Sequence, residues 1–243
     1  MRKITCLLLL FLTINCFLFA QSNGVNVTKK TSLNETTIVR DSSGNEYAYE
    51  DWRKMMQSGE YGMKKHKSKK DNEVVYIIHR LTLDEKEAII ATKPRPMESQ
   101  FFTTGKKFPS FKAKDMQGTK INLKDLAGKV IILNFWFINC PPCRREIPEL
   151  NELVKSYSSD TSTAFIAIAL DSYRDLKDFL QQTPFDYNIV DDGGSLASRY
   201  GVKAFPTNVV VDRQGIIRFH SSGYSSATGY WIKKTIEEAK AAN

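Results

Sequence analysis

A chain of 243 residues with 42% hydrophobic and 26% charged residues has ample apolar content for a packed core, which excludes a disordered or fibrous class and allows one or two domains. The formal net charge of +8 favours acidic partners or an anionic surface in a general way, but does not mark a nucleic-acid binder, and no nucleic-acid partner is expected.

Met1 to Ala20 opens with Arg2 and Lys3, runs through an apolar stretch from Leu7 to Leu12, and gives way to polar residues at Gln21. This is the layout of a secretory signal peptide (residues 1–20) cut after Ala20. Thr13 and Asn15 interrupt the apolar part, so a permanent spanning helix is the weaker reading, and Thr13-Ile14-Asn15 matches lipid attachment at Cys16 poorly. Cleavage lowers the net charge from +8 to +6, because the segment holds Arg2 and Lys3 and no acid. It also removes Cys6 and Cys16, leaving Cys140 and Cys143 as the thiols of an exported chain.

Residues 21–104 read as a tether followed by a small accessory region. Gln21 to Asp41 is rich in Asn, Ser, Thr and Lys, a composition expected of a loose lead-in. Tyr47, Tyr49, Trp52, Met55 and Met56 supply apolar surface, and Met63 to Lys70 is a basic run that reads as a solvated loop, with an acidic or lipid docking patch as the alternative. Glu73 to Arg80 reads as a strand, Leu83 to Ile90 as a short helix or strand, and Pro94 to Lys107 as a linker.

From Gly105 to the end the punctuation is that of one domain. Phe108-Pro109-Ser110-Phe111, Asp115 to Gly118 and Ile121 to Leu123 read as two extended pieces joined by a turn. Val130 to Phe137 is an almost unbroken apolar run, as a strand buried on both faces would be, with Asn134 as its one polar residue. A buried Asn there must be hydrogen-bonded and cannot act as acid or base. Cys140-Pro141-Pro142-Cys143 follows at a turn, then a helix to about Tyr157 in which Pro148 should produce a kink. Thr163 to Leu170 reads as a strand, Tyr173 to Gln182 as a helix, Phe185 to Val190 as a strand and Leu196 to Tyr200 as a short helix. Asn208 to Val211 and Ile216 to His220 form a hairpin, and Tyr230 to Ala241 a closing helix. The alternation predicts a three-layer α/β sandwich.

Two thiols three residues apart at a helix start lie within one turn, close enough to form a small disulfide ring. So short a loop removes little entropy from the unfolded chain, which argues against a purely structural staple. A thiolate at a helix N-terminus is stabilised by the macrodipole and by unpaired N–H groups, which lower its pKa below the roughly 8.5 of a free cysteine. Cys140 is therefore the expected exposed nucleophile and Cys143 the resolving thiol one turn deeper. Zinc would need two further ligands that three scattered histidines do not supply, so no metal and no cofactor is expected.

The ordered set Phe108-Pro109-Ser110-Phe111, Gly118, Leu123, Gly128-Lys129, Leu133-Asn134-Phe135-Trp136, Cys140-Pro141-Pro142-Cys143, Glu146 with Pro148, and Phe205-Pro206-Thr207 resembles the thioredoxin superfamily, and specifically its TlpA/ResA-type extracytoplasmic thiol-disulfide oxidoreductases. The resemblance implies a thioredoxin-like sandwich with a central mixed sheet over residues 105–243. It implies a cis bond before Pro206, a substrate groove formed by Trp136, Pro141, Phe205 and Pro206, and a glutamate, Glu146, beside the cysteines as proton partner for Cys143. The alternative for Glu146 is a surface carboxylate paired with Arg144 or Arg145. The implied activity is periplasmic or otherwise extracytoplasmic disulfide reduction on exported proteins, such as apocytochrome c in cytochrome c maturation, fed by a membrane electron donor. Two other classes stay open. A thiol peroxidase resembles this chain in fold but needs a threonine where Phe137 stands; the other class is a metal- or haem-handling module on the same fold, of which copper carriers resemble a CxxxC pair with a distal histidine, whereas this spacing is CxxC.

Overall fold

The computed structural model describes residues 33–67 and 74–242; the expected signal segment, Cys6 and Cys16 lie outside them. Two compact units are present, one formed by residues up to Gly59 together with Met63–His79, the other by Glu60–Gly62 and Arg80 onward.

In the first unit, β1 (Val39–Arg40) is followed by α1 (Tyr49–Gln57), β2 (Tyr61–Lys67) and β3 (Val74–Arg80), with sheet order β1-β3-β2. The loose lead-in expected up to Asp41 is corrected here: Val39 is fully buried and pairs in parallel with Tyr76 of β3. A two-residue strand among polar neighbours leaves no periodic trace, because its order comes from its partner strand. Trp52, on α1, is buried and meets Tyr49 edge-on at 5.0 Å. The basic run is likewise not a loop as far as Lys67. It forms β2, an edge strand whose exposed lysines blunt further pairing.

The second unit begins with α2 (Leu83–Ala91), settled as a helix by a capping box in which Thr82 and Glu85 satisfy each other's backbone N–H groups. A hairpin of β4 (Lys112–Lys114) and β5 (Lys120–Asn122) leads through a short 3₁₀ turn, Leu123–Leu126, into β6 (Val130–Trp136). Then come α3 (Pro141–Ser156), β7 (Thr163–Ala169), α4 (Tyr173–Gln182), β8 (Asn188–Val190), α5 (Gly194–Arg199), β9 (Thr207–Val211), β10 (Ile217–Ser222) and α6 (Thr228–Ala241). The five-stranded sheet has the order β10-β9-β6-β7-β8, with β6, β7 and β8 parallel and β9 antiparallel to both its neighbours. This is the mixed three-layer sandwich predicted, with every residue of central β6 buried.

The two-residue period of β6 divides the core. Val130, Ile132 and Trp136 join Ile147, Leu150 and Leu153 of α3, Leu176 of α4, and Ile232 and Ile236 of α6. Ile131, Leu133 and Phe135 face Phe108, Phe111, Leu123 and Tyr200 on the other side. There the Tyr200 ring lies 5.0 Å from Phe108 and 6.0 Å from Phe135, and its hydroxyl donates to the Pro109 carbonyl at 2.8 Å. Replacing Tyr200 by Phe keeps the packing and deletes one bond, so it should cost about 1 kcal/mol in urea denaturation; an unchanged midpoint would show that the bond contributes nothing.

The linker expected over 94–107 is also corrected. The Gly105 N–H donates to the Ile217 carbonyl at 2.8 Å, Ile217 N–H to Lys106 at 2.9 Å, and Ser222 N–H to Met97 at 3.0 Å, so this segment covers the outer edge of β10. Ser99 N–H donates to His220 Nδ1 at 3.1 Å, and Phe102 stacks on Phe108. These are mostly main-chain bonds, which side-chain pattern cannot reveal. Pro148 is exposed, and α3 runs through it as one sixteen-residue helix.

Candidate active site

The site stands at the carboxyl end of β6, where Phe137-Ile138-Asn139 turns into α3. Asp171, at the end of β7, holds that turn by accepting the Ile138 N–H at 2.8 Å. Cys140 caps α3 and is joined to Cys143 in a disulfide, with 5.2 Å between their Cα atoms. Pro141 and Pro142 occupy the first two helical positions and carry no N–H, so the first backbone donor of the helix is that of Cys143. It reaches Cys140 Sγ at 3.2 Å, which puts the helix's positive end on the sulfur expected to attack. The exposed nucleophile is corrected for this oxidised state: Cys140 and Cys143 are each only 2% exposed. The open surface beside them is a depression of about 310 Å³ lined by Asn139, Pro141 and Arg144.

Glu146, three residues after Cys143 and on the same helical face, is 1% exposed. The surface-carboxylate alternative is thereby excluded. Neither neighbouring arginine bonds it; Asn208 Nδ2 donates to Oε1 at 2.8 Å and Asn134 Nδ2 approaches Oε2 at 3.4 Å. Asn134 also donates to Asn208 Oδ1 at 2.8 Å, so the polar residue of β6, its register partner on β9 and the glutamate form one buried triangle. Burial pushes the Glu146 carboxyl up to about 8; the Asn208 bond opposes this and the nearby Glu149 charge adds to it. The carboxyl is therefore mostly a neutral acid at pH 7, with a minor ionised fraction.

The peptide bond between Phe205 and Pro206 is cis. Phe205 is half-buried and meets Phe137 edge-on at 5.4 Å, whereas Pro206 is buried and its carbonyl accepts the Gly223 N–H at 2.8 Å. Trp136 departs from expectation. At 1% exposure it cannot line a groove; its ring packs 5.4 Å from Phe185 and 5.7 Å from Phe179. As the last residue of β6 it points to the α3 face of the sheet, a direction set by strand register that the motif alone does not give. Asn208 and Asp171 are the site residues that sequence reasoning missed. Asn208 carried a signal, a second polar residue in an apolar strand, which becomes meaningful once β9 is placed beside β6.

Residues 104–220 match the AhpC/TSA family model. The chain is 36% identical over 126 residues to the thiol-disulfide oxidoreductase ResA of Bacillus thuringiensis subsp. konkukian, covering 51% of this chain and 69% of that one. It belongs to the ResA family of thiol-disulfide oxidoreductases. A ResA of Bacillus cereus (strain ATCC 10987) is 37% identical over 113 residues, covering 46% of this chain and 65% of the relative, so the alignments span about two thirds of these ResA proteins. A crystal structure from Chlorobium tepidum assigned as a thiol:disulfide interchange protein DsbE superposes with a TM-score of 0.52 at 30% identity, covering 57% of this chain and 98% of that one. The superposition assigns the thioredoxin fold to the second unit, and the ResA relationship makes the Cys140–Cys143 pair its redox centre.

Proposed function

We propose that this chain is an exported protein-disulfide reductase working by dithiol-disulfide exchange at Cys140 and Cys143. The observation that carries the reading is the Cys140–Cys143 disulfide at the start of α3, with the helix's first N–H directed at Cys140 Sγ. In the reduced protein the Cys140 thiolate attacks one sulfur of a partner disulfide, forming a Cys140–partner bond and expelling the partner's other sulfur as a thiolate. Cys143 then gives up its proton, which the ionised fraction of Glu146, the minor form at pH 7, accepts from the same helical face, and attacks Cys140 Sγ. The second partner thiolate leaves. Two electrons pass to the partner, its two thiolates take up protons from the solvent, and the protein is left oxidised with the Cys143 proton on Glu146.

Export rests on the residues at the start of the chain, and among the described residues no helix is long and apolar enough to cross a membrane. Exported disulfide proteins, apocytochrome c among them, are the proposed substrates, with a membrane donor restoring the dithiol; both follow from the family resemblance. The direction of flow is tested by the midpoint potential of the pair. A reductase should lie near the thioredoxin range, roughly −270 mV, while a value near −120 mV, that of the strongest disulfide donors, would reverse the assignment.

The AhpC/TSA match favours a second reading, thiol peroxidase activity. Phe137 stands where that chemistry needs a threonine. Hydrogen peroxide consumption by the reduced protein at a rate matching its disulfide exchange would move the assignment to that class.

A further inference from the structure

The start of α3 carries two residues that the exchange steps do not use. Arg144 and Arg145 follow Cys143 directly, and no acid stands in the first turn. Cations at a helix N-terminus oppose the macrodipole, so helix stability does not account for them. Both are exposed, and among the described residues neither forms an ion pair.

Each is held by an aromatic face instead. The Arg144 guanidinium lies 5.5 Å from the ring centroid of Phe179 on α4, and that of Arg145 lies 5.2 Å from Tyr224, between β10 and α6. A guanidinium beside an aromatic face keeps N–H donors for the two-pronged geometry that a carboxylate matches. Arg144 also lines the depression with Asn139 and Pro141, which flank Cys140 in sequence. The neighbouring acids are already engaged: Glu146 is buried, Glu149 accepts the Tyr224 hydroxyl at 3.1 Å, and Asp171 accepts the Ile138 N–H. Two exposed guanidiniums thus follow Cys143 on α3, with Arg144 at the edge of the depression.

We infer that Arg144 and Arg145 select partner disulfides flanked by acidic side chains, docking a carboxylate at the Asn139–Pro141 depression while Cys140 meets the partner sulfur. This rests on the exchange function proposed above and names the chemistry of its substrate. Cations here would also stabilise the Cys140 thiolate, but that effect speeds attack on every disulfide alike and cancels in a comparison of substrates.

Two disulfide peptides, identical except for Glu or Lys beside each cysteine, are given to the reduced full chain freed of reductant. The Glu peptide should be preferred by about tenfold in kcat/KM at low ionic strength, with the preference shrinking toward unity near 0.5 M salt. In the Arg144→Gln/Arg145→Gln double variant the two peptides should come within about twofold of each other. Equal turnover of both peptides by the parent protein, or a preference unchanged in the variant, overturns the inference. So does an equal loss on both peptides, which would assign the arginines to thiolate stabilisation alone. If the parent reduces neither peptide, the exchange function itself fails, and the selectivity with it.

Discussion

The Cys143→Ser protein is expected to stop at the first covalent step, accumulating a mixed disulfide between Cys140 and its partner. The two cysteines share one helical turn, with Cα atoms 5.2 Å apart, so Cys143 attacks Cys140 Sγ intramolecularly. Effective molarities of well-oriented groups reach about 10⁵ M or more, which a millimolar external thiol cannot replace. Turnover should fall on the order of a thousandfold or further, and non-reducing electrophoresis with mass spectrometry should find the partner bound at Cys140. Cys140→Ser should abolish turnover equally while trapping nothing, since Cys143 lies deeper in the helix and caps no terminus. Undiminished turnover in the Cys143→Ser protein would mean that a different group resolves the intermediate. Trapping by both single variants would mean that the attacking thiol is not fixed by helix position.

What the sequence discloses about this molecule divides by physical cause. The strands of the central sheet, the thiol pair and the closing hairpin were legible because each leaves a local mark: an unbroken apolar run at Val130–Trp136, a spacing at Cys140 and Cys143, a turn at Asp212–Gly215. β1 and the segment along β10 left none, since main-chain bonds to strands distant in sequence hold them. Within the site, Glu146 and Asn134 could each be singled out, yet the triangle they form with Asn208 exists only through the β6–β9 register. Trp136 shows the reverse limit: it carries the family motif, but strand parity turns its ring into the core and away from any partner.

The oxidised protein should lose stability as the pH rises from about 5 to 8, and Glu146→Gln should remove most of that loss. The unfolded carboxyl titrates near its ordinary 4.5, whereas burial keeps the folded one protonated up to about 8. Across that interval the folded state holds a proton that the unfolded state has released, so each pH unit lowers the unfolding free energy by up to 1.4 kcal/mol. The sum is on the order of 4 kcal/mol, with the slope flattening above pH 8. Glu149, also raised by burial, slopes the same way, while His220, lowered by burial, gives an opposite slope below its ordinary 6.5. The difference between parent and variant isolates Glu146 from both. Gln can still accept the Asn208 N–H at its oxygen, giving up only the 3.4 Å approach of Asn134, so the triangle survives largely intact. Denaturant titrations at pH 5, 6, 7 and 8 measure the two slopes, and parallel slopes would place the Glu146 carboxyl in its ordinary range. The same substitution tests the chemistry. The ionised fraction of a carboxyl titrating near 8 is the base available to take the Cys143 proton. Gln cannot take that proton. The exchange rate of the variant should follow pH through the cysteine thiols alone, without the inflection that the carboxyl contributes in the parent, and a profile identical to the parent's would remove Glu146 from the mechanism.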